Sequence, residues 1–232
     1  PDPDAIMTAE LETAGIEVVA INDLGDIHNL AYLLRHDSVY GIYKKDISSS
    51  EGVIKVGNHP YKFIQEKDPA KLPWAELKVD IVVESSGAFE SYELANAHIQ
   101  AGAKHVVLTA PAKDADNISG KTVLMGINED ELKTCTISSN GSCTTNSASP
   151  VIQILMEKLG IKKAFLNTVH AYTATQSIVD SATKGVDYRR GRAGAANISP
   201  STTGAAIAVT RAIPALAGKF DGIAMRVPVI DG

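Results

Sequence analysis

The feature that most limits what this chain can fold into is a repeated unit: a short, β-branched apolar run, a polar turn, then a helix-forming segment. Ile16 to Ile21 (IEVVAI) is apolar at almost every position and ends at Asn22-Asp23, the pattern of a strand buried on both faces and closed by a polar loop. Asp26 to Arg35 follows with Ile27, Leu30, Ala31, Leu33 and Leu34 at helical spacing and Asp26 placed as the cap. The cycle recurs in Val79 to Val83 (VDIVV), the loop Glu84-Ser85-Ser86-Gly87, a helix over Tyr92 to Ala101 and a strand over His105 to Leu108. Strands with no polar face must be covered on both sides, which predicts an α/β fold with a doubly wound parallel sheet. Gly52 to Ile64 departs from this pattern. It alternates apolar and polar residues around Gly57-Asn58-His59-Pro60, which predicts an antiparallel hairpin inserted between the parallel units.

Beyond Pro111 the pattern predicts strands near Thr122 to Met125 and Thr134 to Ser138, then a long helix over Cys143 to Leu159 and a strand over Ala164 to His170. Tyr172 to Ser199 reads as an extended loop rich in Gly, Ser, Thr and Arg, and so long an irregular segment inside a compact domain is usually functional. A helix from Gly204 to about Ile213 and a strand from Ile223 to Val229 follow. With 232 residues, 44% hydrophobic and 21% charged, the composition is that of a globular protein rather than a disordered or fibrous one. A formal net charge of -5 argues against nucleic acid as the main partner. No apolar stretch approaches the length of a membrane span. Two cysteines are too few for a disulfide scaffold, so a reducing, cytoplasmic setting is expected.

The two cysteines differ in context. Cys143 stands in SNGSCTTN, where a strand meets the start of a helix, and there the helix dipole and unpaired N–H groups stabilise negative charge on sulfur. Ser142, Thr144, Thr145 and Asn146 make a poor core neighbourhood but a good rim for an oxyanion or a phosphate. Cys135, between Thr134 and Thr136 in an expected strand, suits an inert core position. His170 ends a strand and opens HAYTATQ, on the edge where open α/β sheets place their chemistry. His28, His36, His59, His98 and His105 show no metal-ligand spacing and receive no functional assignment. Taken alone, each of these residues also has a structural explanation: a buried thiol, a satisfied loop histidine, a solvated run of arginines.

Taken together the motifs point to a family. SNGSCTTNSASP, HAYTATQ, RRGRAGAANISPSTTGAA and MRVPV, with AINDL, LLRHDSVYG and APAK, are similar to those of glyceraldehyde-3-phosphate dehydrogenases, in register from about Gly15 to Gly232. The resemblance implies a Rossmann-type cofactor domain over residues 1–142 and an α+β catalytic domain over 143–232 that carries the long loop. It implies Cys143 as the nucleophile on a sugar-phosphate aldehyde and His170 as its acid/base partner. Thr173 and Arg226 match the substrate-phosphate site, and Ser142, Thr144, Arg190, Thr203 and Gly204 the inorganic-phosphate site. Asp23 is placed for the adenosine ribose, Lys67 stands where the family commonly has an arginine near the adenine, and Ser86, Gly87, Phe89 and Thr109 match cofactor-lining positions. NAD is the implied cofactor. Ser181-Ala182 in place of the common Leu-Pro, and a loop about two residues longer near Gly185-Val186, leave NADP open as a second one. Glyceraldehyde 3-phosphate and inorganic phosphate are the implied substrates, a homotetramer the implied assembly, and no metal is called for. A relative acting on erythrose 4-phosphate and a catalytically silent binding fragment are the alternatives.

One part of the pattern is missing. The eighteen glycines contain no G-x-G-x-x-G, and the loop that should precede Asp23 by about twenty positions falls at or before residue 1. Residues Asp4 to Ala14 then read as the tail of the helix that this loop would open, and the first strand of the sheet is absent as well. The closing Ile230-Asp231-Gly232 lies inside what the family continues as a catalytic sheet. The expectation is a polypeptide cut at both ends.

Overall fold

The structure, a computed structural model, describes residues 15–183 and 185–231, so the expected helix tail at Asp4 to Ala14 lies outside the described residues. The chain forms two compact units. The first holds the described residues up to Val79 together with Gln100–Ala103; the second holds Asp80–Ile99 and the chain from Lys104 onward.

In the first unit, strand β1 (Ala20–Asn22) leads into helix α1 (Ile27–Arg35), whose cap Asp26 accepts the Asn29 N–H at 2.8 Å, as its spacing predicts. A two-stranded ribbon follows, β2 (His36–Asp37) with β3 (Gly41–Ile42), then β4 (Ile47–Ser50), β5 (Val53–Val56) and β6 (His59–Ile64). The sheet order is β1-β6-β5-β4, with β5 and β6 forming the predicted antiparallel hairpin and β1 parallel to β6. Its core gathers Tyr43, Ile54, Val56, Tyr61 and Phe63, against which Ile27, Leu30 and Leu34 of α1 pack. The first strand is shorter than IEVVAI implied and half-buried rather than fully buried. It pairs only with β6, so its other edge receives no ladder among the described residues.

The second unit begins with β7 (Ile81–Glu84), α2 (Tyr92–Gln100) and β8 (His105–Leu108), the strand-helix-strand cycle expected. β9 (Gly120–Thr122) and β10 (Ile137–Ser139) complete a wholly parallel sheet of order β7-β8-β10-β9. β7 starts two residues after the expected Val79, and two later boundaries moved as well. The strand expected over Thr134 to Ser138 begins only at Ile137, because Glu129–Thr134 winds into a 3-10 helix closed by the Thr134 hydroxyl on the Glu131 carbonyl at 2.8 Å. The strand expected over Thr122 to Met125 lies two residues earlier, since Asp116 takes the Thr122 N–H and hydroxyl and turns the chain there.

After β10 come α3 (Cys143–Lys158), β11 (Ala164–Ala171), β12 (Ser199–Ser201), α4 (Ala205–Ala212) and β13 (Phe220–Val227). β11 runs parallel to β13 over eight paired residues, and β12 is antiparallel to β13. The last strand thus starts earlier than the apolar run alone implied and stops before Pro228, which cannot donate to a ladder. Leu124, Ile152, Val209, Ala212, Ile213 and Leu216 form the core beneath α3 and α4. Parallel strands with helical crossovers, followed by a mixed sheet, make this a Rossmann-type α/β arrangement joined to an α+β segment.

Candidate active site

The site is built where β10 turns into α3. Gly141 takes φ +67, and a side chain there would press within 2.8 Å of Thr145 Cγ2, so the turn needs glycine on both counts. Ser142 then caps the 16-residue helix, its hydroxyl accepting from the Thr145 N–H at 3.1 Å and meeting Thr145 Oγ1 at 2.8 Å. Asn146 ties the turn from the other side, its amide donating to the carbonyls of Asn140 and Ser142. The result is an exposed Cys143 in the first turn, facing solvent while its neighbours are held.

His170, near the end of β11, brings Nε2 to 3.2 Å from Cys143 Sγ. Its other nitrogen has two neighbours, the Ala171 carbonyl at 2.8 Å and Arg226 Nη1 at 2.7 Å. A ring nitrogen donates or accepts but never both, so these contacts belong to different tautomers. With Nδ1–H on the carbonyl, Nε2 presents a lone pair to the sulfur, which is what proton transfer from the thiol requires. Arg226 also donates to the Ala171 carbonyl at 3.0 Å. The sheet register explains this convergence, since His170 and Arg226 are direct partners across β11 and β13.

Arg226 is half-buried, and no acceptor among the described residues reaches its buried Nε. Burial first, then the charge of Arg190, pull its guanidinium below the usual range, with Cys143 acting in the opposite direction. An arginine nonetheless remains cationic near neutral pH, so an orphaned donor here invites an anion. Arg190 is anchored by Thr175 Oγ1 at 2.7 Å, and Thr173 Oγ1 contacts Thr175 Oγ1 at 2.9 Å, which links the long loop back to the end of β11. Thr203 Oγ1 accepts the Ala205 N–H and Gly204 caps α4; no hydrogen bond joins either to the Cys143–His170 pair among the described residues. Thr144 follows Cys143 in the same helical turn and is half-buried.

The remaining expected positions divide between the units. In the first, Asp23 and Lys67 leave the same edge of the β1–β6 pair and both are exposed. Asn22 locks these exits together by exchanging two hydrogen bonds with the Glu66 backbone, at 2.9 and 3.1 Å. Asp23 Oδ1 accepts the Gly25 N–H at 2.7 Å. In the second unit, Gly87, Phe89 and Thr109 line a cavity of 220 Å³ at the carboxyl ends of β7 and β8, together with Glu84, Leu108 and Ala110. Gly87 adopts φ +71 with open space where a side chain would stand, as a backbone approached by a ligand does. Within the second unit, an open glycine turn beside a strand-end cavity suits a bound nucleotide.

Some participants were not foreseen. Thr175 and Gln176 shape the turn after β11, and His98 is buried on α2 against Glu84 rather than a satisfied loop histidine. The sequence carried one faint signal for His98: Tyr92, Ala95 and His98 recur every three residues, the buried face of the helix. Among the described residues no group of three or more His, Cys, Asp or Glu side chains could hold a metal ion. No helix among them is long and apolar enough to cross a membrane.

A helix-start thiol facing a strand-end imidazole, on an α/β frame with strand-end glycine turns, defines an α/β protein with a cysteine–histidine centre. Residues 4–92 match the family model described as glyceraldehyde 3-phosphate dehydrogenase, NAD binding domain, and residues 142–232 the one described as its C-terminal domain. Relatives named glyceraldehyde-3-phosphate dehydrogenase include those of Streptomyces coelicolor, 48% identical over 94% of this chain and 64% of the relative, and Clostridium pasteurianum, 46% identical over 96% and 66%. That of Kluyveromyces lactis is 43% identical over 97% of this chain and 67% of its own length. The chain belongs to the glyceraldehyde-3-phosphate dehydrogenase family. It spans about two thirds of the length of the curated relatives it matches.

Proposed function

We propose that this chain carries the thiol centre of a phosphorylating aldehyde dehydrogenase, which converts glyceraldehyde 3-phosphate and inorganic phosphate into 1,3-bisphosphoglycerate with reduction of NAD. The single observation that carries this reading is the 3.2 Å approach of His170 Nε2 to Cys143 Sγ at the start of a 16-residue helix, with Arg226 behind the imidazole. Cys143 Sγ bonds to the aldehyde carbon as its proton passes to His170 Nε2, giving a thiohemiacetal. Bound NAD would accept the hydride that leaves that carbon. The thioester left on Cys143 is then attacked by a phosphate oxygen, the carbon–sulfur bond breaks, and the thiolate recovers its proton. The Cys143 backbone N–H and protonated His170 stabilise the oxyanion in both additions.

Two phosphates need two anion sites. Thr173 and Arg226 suit the substrate phosphate, supported by the unsatisfied Arg226 Nε, and Ser142, Thr144, Arg190, Thr203 and Gly204 suit inorganic phosphate. By the family resemblance Asp23 would accept from the ribose hydroxyls and Lys67 would lie near the adenine, and in the second unit Ser86, Gly87, Phe89 and Thr109 match cofactor-lining positions. We take residues 1–142 as the cofactor-binding portion and 143–232 as the catalytic portion. A cytoplasmic homotetramer is the expected setting, in keeping with two free cysteines.

The test is a phosphate-dependent rise in reduced nicotinamide with the protein expressed from its complete coding sequence. Glyceraldehyde 3-phosphate with NAD should give the fastest rate, against erythrose 4-phosphate and against NADP. Absence of any turnover that requires phosphate would overturn the proposal.

A further inference from the structure

The cofactor side of the second unit contains a buried carboxylate–imidazole pair that the reaction above does not use. Glu84 closes β7 and His98 lies on α2; His98 Nε2 and Glu84 Oε2 are 2.8 Å apart, with side chains only 5% and 8% exposed. A carboxylate buried this far costs several kcal/mol unless its oxygens are satisfied. Here each has a partner, since Oε1 accepts the Ser86 N–H at 2.7 Å while Oε2 faces His98. Burial works against ionisation of Glu84, but the hydrogen bonds from His98 and Ser86 outweigh it and hold the carboxyl below the usual range.

Several contacts of this pair lead to the loop that follows β7. Glu84 Oε1 holds Ser86, whose hydroxyl in turn accepts the Ala88 N–H at 3.2 Å. The Glu84 carbonyl accepts from both the backbone N–H and the hydroxyl of Thr109, at 3.1 and 3.3 Å, which pins the loop to the end of β8. The His98 ring meets Phe89 edge-on, with centroids 6.2 Å apart. Glu84 itself lines the 220 Å³ cavity with Gly87, Phe89 and Thr109. A helix-to-strand clamp needs no charge, because well-packed apolar residues commonly replace buried ion pairs at no cost in stability. A carboxylate aimed at a loop N–H does what apolar packing cannot: it fixes the backbone of the wall that a ligand meets.

We propose that Glu84 and His98 form a positioning pair that preorganises residues 85–89 for the dinucleotide. This rests on the reading of that loop as part of the cofactor site. The pair touches no reacting atom, so its loss should show in cofactor binding rather than in the chemical step.

The experiment measures NAD affinity by calorimetry, and both Michaelis constants, in the protein expressed from its complete coding sequence. H98L is expected to raise the Kd and KM for NAD about tenfold, ~1.4 kcal/mol, with kcat at saturating NAD and KM for the aldehyde unchanged to within about twofold. H98Q, whose amide donor reaches the position of Nε2, should restore the Kd to within about twofold of wild type. Should H98L fail to fold, E84Q decides: it keeps the bulk but replaces one of two needed acceptors with a donor, and a roughly threefold rise in Kd is expected. Unchanged NAD affinity in H98L or, where that variant does not fold, in E84Q would make the pair purely structural and overturn the proposal, even if melting temperatures fall. A wild-type protein that binds no NAD would sink the cofactor reading itself, and the proposal with it, before any variant is compared.

Discussion

At the scale of single residues, the two thiols show how neighbourhood sets chemistry. Cys143 is exposed at a helix start and faces an imidazole, whereas Cys135 is buried, and burial pushes its thiol up out of the usual range. Iodoacetamide at neutral pH should therefore alkylate Cys143 first, and peptide mapping by mass spectrometry would locate the label. Equal labelling of both would contradict the proposed nucleophile. His170→Asn removes the nitrogen that faces the sulfur, and kcat should fall by about 10²- to 10⁴-fold, the usual value of a positioned base. Steady-state kinetics at fixed pH would measure it. A loss below tenfold would mean that His170 transfers no proton.

At the scale of elements, the site depends on turns that the flanking strands and helices force into shape. Ser142 links strand to helix through one hydroxyl, and Gly141 allows that approach. A sharp steric constraint lies further off, at Gly120 on β9. A side chain there would sit 2.2 Å from Tyr92 Cγ, and Tyr92 is buried at the start of α2 with its hydroxyl on Asp116 at 2.9 Å. Gly120→Ala should thus cost about 1–3 kcal/mol as overpacking displaces the ring. Urea denaturation would read the loss as a lower midpoint; an unchanged midpoint would mean that Tyr92 moves aside freely. Element boundaries were the least legible part of the sequence. The 3-10 turn at Glu129–Thr134 arises from side chains closing on nearby backbone, which an apolar pattern does not encode.

At the scale of the whole molecule, stability comes from a core in each unit and from a few buried polar groups. Leu216→Ala would open a cavity where the side chain is 1% exposed, at a cost of about 2–5 kcal/mol, seen as a lower thermal midpoint. Glu84 adds a pH dependence. Its folded-state pKa is depressed, so its contribution is present above the ordinary glutamate range and is lost as pH falls through the lower folded value. The wild type should accordingly lose stability relative to Glu84→Gln below about pH 4, the region where glutamates titrate. Denaturation midpoints measured across that range would show parallel curves if the prediction were wrong.

The sequence alone determined the class of fold and singled out Cys143 and His170 as the candidate thiol centre. Apolar runs without a polar face require cover on both sides, and SNGSCTTN and HAYTATQ mark a helix start and a strand end that suit a nucleophile and its base. Asp26 as a cap and the hairpin around Gly57 were equally legible, because both depend on contacts within a few residues. Only the tertiary structure decided that His170 and Arg226 share one register position, that Arg190 leans on Thr175, and that His98 is buried against Glu84. Those pairs join residues 14 to 56 positions apart. Their closeness is set by strand pairing and helix packing, and a linear pattern that reports on nearest neighbours carries no record of it.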